Sequence, residues 1–332
     1  MAATIMDVAR HAGVSIATVS RAIHGSPLVN AHTRLRVEQA MVKLNYAPNV
    51  VARGLVTRRT QAIGLVITSM ADPFFPPIVQ GVEETALDHG YSVLLCTSNN
   101  DPARELAVAK LLKEHRVDAL IVASSRVGGL YQSHLEDISV PLVLINNEQR
   151  GAYIYSVGTD DVAGGRLAVT HLLGLGHRAI GYIHGPLLKQ STHDRYRGYC
   201  TSLGESGISP DPSQVVVGDG QAEGGQRAMQ ILLQRQPRPT GVFCFNDLTA
   251  LGALRAIRSA GLVVPRDVSV VGYDDIALAA YAEPPLTTVA QQTYELGRRA
   301  MLLALDLLAG KECASITLPA MLIERASCAP VL

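Results

Sequence analysis

Residues 4–23 read TIMDVARHAGVSIATVSRAI, and they prescribe two short helices joined by a tight turn. Thr4 can cap the first helix, with Asp7 three residues on as the acidic half of a capping box. Ile5, Val8, Ala9 and Ala12 recur at the spacing of one apolar helical face. Gly13 supplies a left-handed residue to end that helix, Val14 packs inside the turn, and Ser15 can cap the second helix. On the second helix Val19, Ala22 and Ile23 face the first, which turns Ile16, Ala17, Ser20 and Arg21 away from the core. Small apolar groups followed by one guanidinium suit a helix in the major groove of DNA. There they meet thymine methyls, and Arg can bond guanine bidentately.

A third helix follows, with Asn30 as its cap and Val37, Ala40, Met41 and Leu44 as its stripe, closed by Asn45-Tyr46. Arg34, Arg36 and Lys43 lie off that stripe, placed to meet phosphates or solvent. The segment 49–57, NVVARGLVT, is apolar where a flexible tether is polar. With Asn49 as cap it spans about two helical turns, too short to be stable alone, and Gly54 weakens it further.

Charge follows the same division. The chain of 332 residues has 29 basic and 29 acidic side chains. Residues 1–60 hold eight basic ones against Asp7 and Glu38, a balance of +6 that leaves −6 for the remainder. A basic head on an acidic body fits a phosphate-binding module joined to something that avoids DNA. The length suggests two or three domains, and 48% hydrophobic with 17% charged residues is a globular composition. No apolar run is long enough to span a membrane and no signal-peptide pattern appears, so a soluble, cytoplasmic protein is expected. The five scattered Cys show no metal-ligand or disulfide spacing and are expected as buried free thiols; no metal or cofactor is expected.

From Ala62 the texture changes to alternating strands and helices. Apolar runs at 63–67, 92–96, 119–123 and 142–145 read as buried parallel strands, separated by helices such as 78–89 and 104–115. A second array has strands at 179–183, 215–217, 242–245 and 268–271, with helices at 162–175, 224–234 and 248–260. The tail supplies a helix at 294–308 and a strand within 315–323. Two successive βα arrays mean two doubly wound lobes. Ligands of such folds bind beyond the C-terminal strand ends. Those ends carry Asp72-Pro73-Phe74-Phe75, Asn146-Asn147, Asn246-Asp247 and Asp274, with Arg195 and Gln291 nearby. An aromatic floor with paired hydrogen-bonding groups suits a hydroxyl-rich ligand. Any one of them alone could equally be a helix cap or half of a surface ion pair.

The runs DVARHAGVSIATVSRAI, LNYAPNVVARGL and IGLVIT, in that order and spacing, resemble the lactose/galactose repressor family of bacterial transcription regulators. The resemblance continues to the C-terminus. It implies an α/β chain: a small all-α helix-turn-helix head at 1–47, a hinge helix and linker at 48–60, and a periplasmic-binding-protein-like body at 61–332. Lobe one would take about 61–159 plus 290–316, and lobe two about 160–289 plus 317–332. The hinge helix of the family forms on DNA, with the leucine matched by Leu55 wedged in the minor groove. The implied DNA contacts are Thr4, Ser15, Ile16, Ala17, Thr18, Ser20, Arg21, Asn30, Tyr46, Asn49, Ala52, Arg53 and Leu55. The implied effector pocket is Phe74, Phe75, Asn147, Arg195, Asn246, Asp274 and Gln291, with Asp72 beside it. Arg195 is the best matched, within STHDRYRGY. Sugar-binding relatives often have Asp-Arg where this chain has Asn146-Asn147, and an aromatic where it has Gly220.

The function so implied is a non-enzymatic, ligand-responsive repressor. Its partners would be double-stranded operator DNA and a sugar-like effector, and it would act as a homodimer. No terminal leucine heptad follows, so a tetramer is not expected. The rival readings are an α/β enzyme or a solute-binding protein. GLGHRA at 174–179 superficially matches a dinucleotide fingerprint, but it falls after a helix and before a strand, the reverse of a phosphate-cradling turn.

Overall fold

The computed structural model describes residues 3–23, 26–46, 59–124, 140–147, 154–187 and 189–331. The expected hinge, with Asn49, Ala52, Arg53 and Leu55, lies outside the described residues. The chain divides into two compact units, Met1–Gln61 and Ala62–Leu332.

The first unit holds α1 (Ile5–Ala12), α2 (Ile16–Ile23) and α3 (Ala31–Lys43). The capping box closes as the sequence asks: Thr4 N–H donates to Asp7 Oδ2 at 3.0 Å, and Asp7 N–H to Thr4 Oγ1 at 3.4 Å. Gly13 takes φ 62°, where a side chain would be strained, and ends α1. Ser15 Oγ accepts from Thr18 N–H at 3.1 Å, and Asn30 Oδ1 from Thr33 N–H at 2.8 Å. Val8, Val19, Val29, Val37 and Ala40 fill a small core that Tyr46 closes from the side.

The second unit contains two six-stranded sheets. We label its strands and helices in order: β1 (Ala62–Ile67), α4 (Phe75–Asp88), β2 (Ser92–Thr97), α5 (Pro102–Glu114), β3 (Ala119–Ala123), β4 (Leu142–Ile145), β5 (Ile154–Thr159) and α6 (Asp161–Gly174). Then come β6 (Ile180–His184), α7 (Gln190–Glu205), β7 (Val215–Val217), α8 (Ala222–Leu232), β8 (Gly241–Cys244), α9 (Asp247–Ser259), β9 (Ser269–Asp274) and α10 (Ala277–Ala280). The tail is β10 (Thr287–Ala290), α11 (Thr293–Leu308), β11 (Ile316–Leu318) and β12 (Met321–Ile323). One sheet runs β11-β5-β4-β3-β1-β2 and the other β12-β10-β9-β8-β6-β7. Every pairing is parallel except β10 with β12.

The chain passes between the lobes three times: after Thr159, after Ala290 and after Leu318. The tail departs from expectation there. The single strand anticipated within 315–323 is two strands in different sheets, parted by Pro319-Ala320, so the last passage falls after 318 rather than at about 316. Proline has no N–H to continue a ladder, which suits it to that break. β5 was not anticipated, because IYSVGT mixes polar groups into the run. β2 is a half-exposed edge strand rather than a buried one. The cysteines differ as well: only Cys244 is buried, and the other four thiols are half-buried.

Helix packing sets the stage for the site. A Cβ on Gly165 of α6 would collide with the Arg195 carbonyl of α7, and one on Gly198 of α7 with the Val162 carbonyl of α6. The two backbones therefore touch, and α7 is pinned at the turn that carries Arg195. Gly165→Ala is expected to destabilise the body by about 1–3 kcal/mol, the usual penalty for overpacking, read as a lowered urea midpoint at unchanged slope.

Candidate functional site

On the head, Ile16, Ala17 and Arg21 are exposed on the outer face of α2. No hydrogen bond or ion pair holds the Arg21 side chain among the described residues. Thr18 and Ser20 are half-buried, and Thr18 Oγ1 lies 2.9 Å from Ser15 Oγ. Thr4 Oγ1 donates to Asp7 Oδ2 at 2.7 Å. Ser15, Thr4 and Asn30 thus use side-chain capacity as caps, presenting helix N-termini that suit phosphates. Arg34 and Arg36 are not free as the sequence suggested. Arg34 Nη2 donates to Ser26 O at 2.9 Å, and Arg36 Nη2 donates to Ala12 O at the end of α1. Unpaired carbonyls at a helix end attract cations, and here they draw Arg36 inward. Lys43 remains exposed.

In the body, the C-terminal strand ends of both lobes and the start of α7 surround a cleft. Asp72, Phe74, Phe75, Asn146, Arg195, Phe245, Asn246, Asp274 and Gln291 line it together with Ser124, Lys189 and Ser191. Phe74 and Phe75 meet edge to face, with ring centroids 5.2 Å apart. Arg195 is buried, donating from Nε to Asp161 Oδ1 at 2.8 Å and from Nη1 to Phe245 O at 2.6 Å. Its Nη1 also lies 3.6 Å from Asp274 Oδ1, and its Cζ sits 3.6 Å from the Tyr273 ring centre. Gln291 Nε2 donates to Asp274 Oδ1 at 2.7 Å. Asp274 has φ 107° and Asn146 φ 52°, left-handed conformations that side chains seldom adopt and that concentrate at functional sites.

Three residues at the strand ends are placed differently from the expectation. Asn246 lines the cleft, but its polar atoms are used: Oδ1 caps α9 at Thr249 N–H, 2.9 Å, and Nδ2 donates to Gly220 O at 3.0 Å. Asn147 lines the adjoining recess with Ser156, Thr159, Asp161 and Asp194 rather than the cleft itself. Asp247 is wholly structural. It accepts from Thr288 Oγ1 at 2.6 Å and Ile276 N–H at 2.9 Å, and burial holds its carboxyl far above the usual range. Sequence reading missed Asp161, Tyr273 and Lys189. Asp161 was legible only through β5, the strand it follows.

The cleft is a cluster of buried acids around one guanidinium. Burial pushes Asp274 up to about 7, with the charges of Asp72 and Asp161 adding, against the pull of Arg195 and Gln291. Burial raises Asp161 too, despite Arg195. Burial also raises Asp72, opposed by the Phe74 N–H and by Lys189. Burial disfavours the charged form of Arg195, but Asp161 and Asp274 outweigh it and keep the group charged.

A helix-turn-helix unit followed by a two-lobed body defines a DNA-binding regulator built on a solute-binding scaffold. Residues 4–49 match the family described as bacterial regulatory proteins, lacI family, and residues 169–328 match a periplasmic binding protein-like domain. The HTH-type transcriptional repressor PurR of Photorhabdus laumondii is 38% identical over 329 residues, covering 98% of this chain and 96% of that protein. The Lac repressor dimer bound to operator and the anti-inducer ONPF aligns with TM-score 0.88 at 32% identity, over 99% of this chain and 100% of that one. The transcriptional regulator CelR in complex with cellobiose aligns with TM-score 0.76 at 34% identity, over 98% and 99%. The chain belongs to the lacI family of bacterial regulatory proteins. It is a DNA-binding transcriptional repressor rather than an enzyme. No helix among the described residues is long and apolar enough to cross a membrane.

The acid cluster makes stability pH-dependent. Burial pushes Asp274 up to about 7 in the folded state against an ordinary 3.8, so between those values the folded state keeps a proton that the unfolded state has lost. Its contribution is therefore largest at low pH and declines as pH rises from about 4 to about 7. Asp274→Asn should remove that part of the decline, checked by denaturant melts from pH 4 to 8.

Proposed function

We propose that this repressor works as a homodimer whose grip on a two-fold operator is altered by a sugar-like small molecule held between the lobes. The observation that carries the reading is the buried Arg195–Asp274–Gln291 network set against Phe74, Phe75 and Phe245. Aligned donors and acceptors beside aromatic walls are the chemistry that polyhydroxylated rings need. CelR, similar over nearly the whole chain, was solved with cellobiose, and the Lac repressor with a small-molecule anti-inducer. The cleft has free space of about 30 Å³, room for a water or two, so a sugar enters only as the lobes part. A ligand that prefers one lobe arrangement then shifts the population of the other.

In this reading Ile16, Ala17 and Arg21 meet base edges, with Thr4, Ser15, Thr18, Ser20, Asn30 and Tyr46 around them on phosphates and sugars. Asn49, Ala52, Arg53 and Leu55 follow the minor groove. One head reads one half-site, so a palindromic site calls for two chains; the Lac repressor, bound to operator, is such a dimer. Asp72, Arg195, Asp274 and Gln291 contact the effector, and Asn246 shapes the wall through its capping bonds.

Two measurements test this. Arg21→Ala should weaken operator binding by about 1–3 kcal/mol and relax preference at one base position; unchanged relative affinities among operator variants would remove α2 from the major groove. A thermal-shift screen of mono- and disaccharides on the full chain should find a ligand that raises the melting temperature and alters operator affinity. Arg195→Ala should abolish that response, and it should also destabilise the body by about 3–5 kcal/mol because two buried carboxyls lose their cation. Asp274→Asn, which keeps size, separates the two effects.

A further inference from the structure

A chain of side-chain amides crosses the cleft from one lobe to the other, and its direction is set by a single backbone group. The N–H of Thr159 donates to Asn146 Oδ1 at 3.2 Å. A backbone N–H can only donate, so Asn146 must turn its oxygen there and its Nδ2 the other way. That Nδ2 donates to Gln291 Oε1 at 2.8 Å, and Thr159 Oγ1 donates to the same oxygen at 2.9 Å. With its oxygen engaged twice, Gln291 has only Nε2 to turn toward the second lobe, where it meets Asp274 Oδ1 at 2.7 Å. Asn146 stands at the end of β4 in lobe one, Gln291 in the second passage between lobes, and Asp274 at the end of β9 in lobe two.

We propose that Asn146 is a positioning residue for the cleft: it fixes the orientation of Gln291, guarantees Asp274 a donor, and thereby sets how readily that carboxyl ionises. The link to effector response rests on the cleft reading above; the orientation of the chain does not. The other groups facing Asp274 are Arg195 from α7, Asp72 from the loop after β1, Asp161 at the start of α6 and Asp247 at the start of α9. Of these, only Arg195 favours the ionised form, and the Gln291 donor is its neutral ally.

The chain has a chemical consequence that can be inverted. An ionised aspartate at position 146 has only acceptors, so it keeps the Thr159 N–H but needs a second donor from position 291. The Gln291 amide then turns over and presents Oε1 to Asp274, which must hold a proton to meet it. Asn146→Asp therefore moves the ionisation of Asp274 to higher pH. Gln291→Met, which removes the donor without adding charge, moves it the same way.

The test is the melting temperature of the full-length protein, without ligand, from pH 5 to 9. Difference profiles, each variant minus the same variant carrying Asp274→Asn, isolate the Asp274 titration from that of the new carboxyl. The expected result is an inflection near pH 7 in the wild type, displaced upward by about one pH unit in Asn146→Asp and in Gln291→Met, the scale of one lost charged hydrogen bond. A uniform loss of stability with the inflection unmoved would mean that Asn146 only packs, and would overturn the proposal. Should Asn146→Asp fail to fold, Asn146→Leu, which removes the donor to Gln291 Oε1 without adding charge, is read by the same criterion. A cleft that takes no sugar would leave this result standing, and an unmoved inflection would leave the sugar reading standing.

Discussion

The guanidinium of Arg195 is buried, and a charge without water must be compensated from every side. Its compensation is drawn from three segments: the Asp161 carboxylate at the start of α6, the Phe245 carbonyl after β8, and Tyr273 with Asp274 at the end of β9. α7, which carries the arginine, is held against α6 by backbone contact at Gly165 and Gly198. Lobe two is in this sense assembled around one cation. The same arrangement prepares the cleft, because groups locked to satisfy Arg195 are already in place for a guest.

Compensation is incomplete, and that is informative. Asp72, Asp161, Asp247 and Asp274 all have carboxyls raised above their ordinary range, burial being the largest cause for each. Stability has been given up where function needs polarity, as is common at binding sites. Asp274 sits where its charge can change near neutrality. It is also the residue that Gln291 joins to lobe one. Charge in the cleft and the relation between the lobes therefore share one atom, Asp274 Oδ1.

Lobes connected by three passages can move against each other only by bending at those passages, and two of them carry this network: Thr159 at the first and Gln291 at the second. The caps and the exposed α2 of the helix-turn-helix head are complete within the first unit.

How much was legible follows from the range of the interactions. The head's caps join residues three apart, and its core follows a helical period, so its three helices could be read directly from residues 4–46. Strands buried on both faces, such as 119–123 and 142–145, appear as unbroken apolar runs and were placed to the residue. β5 escaped because Tyr155, Ser156 and Gly158 interrupt its run, and with it went Asp161. The sequence alone determined the class, the two lobes and a list of polar residues at strand ends. Only the tertiary structure decided which of them face the cleft and which are consumed elsewhere: Asn246 as a cap, Asp247 as an internal tie, Arg34 and Arg36 on carbonyls. The reason is distance along the chain. Arg195 meets Asp161 across 34 residues and Asn146 meets Gln291 across 145, and no local period carries such pairings; they exist once two sheets and their passages bring strand ends to one place.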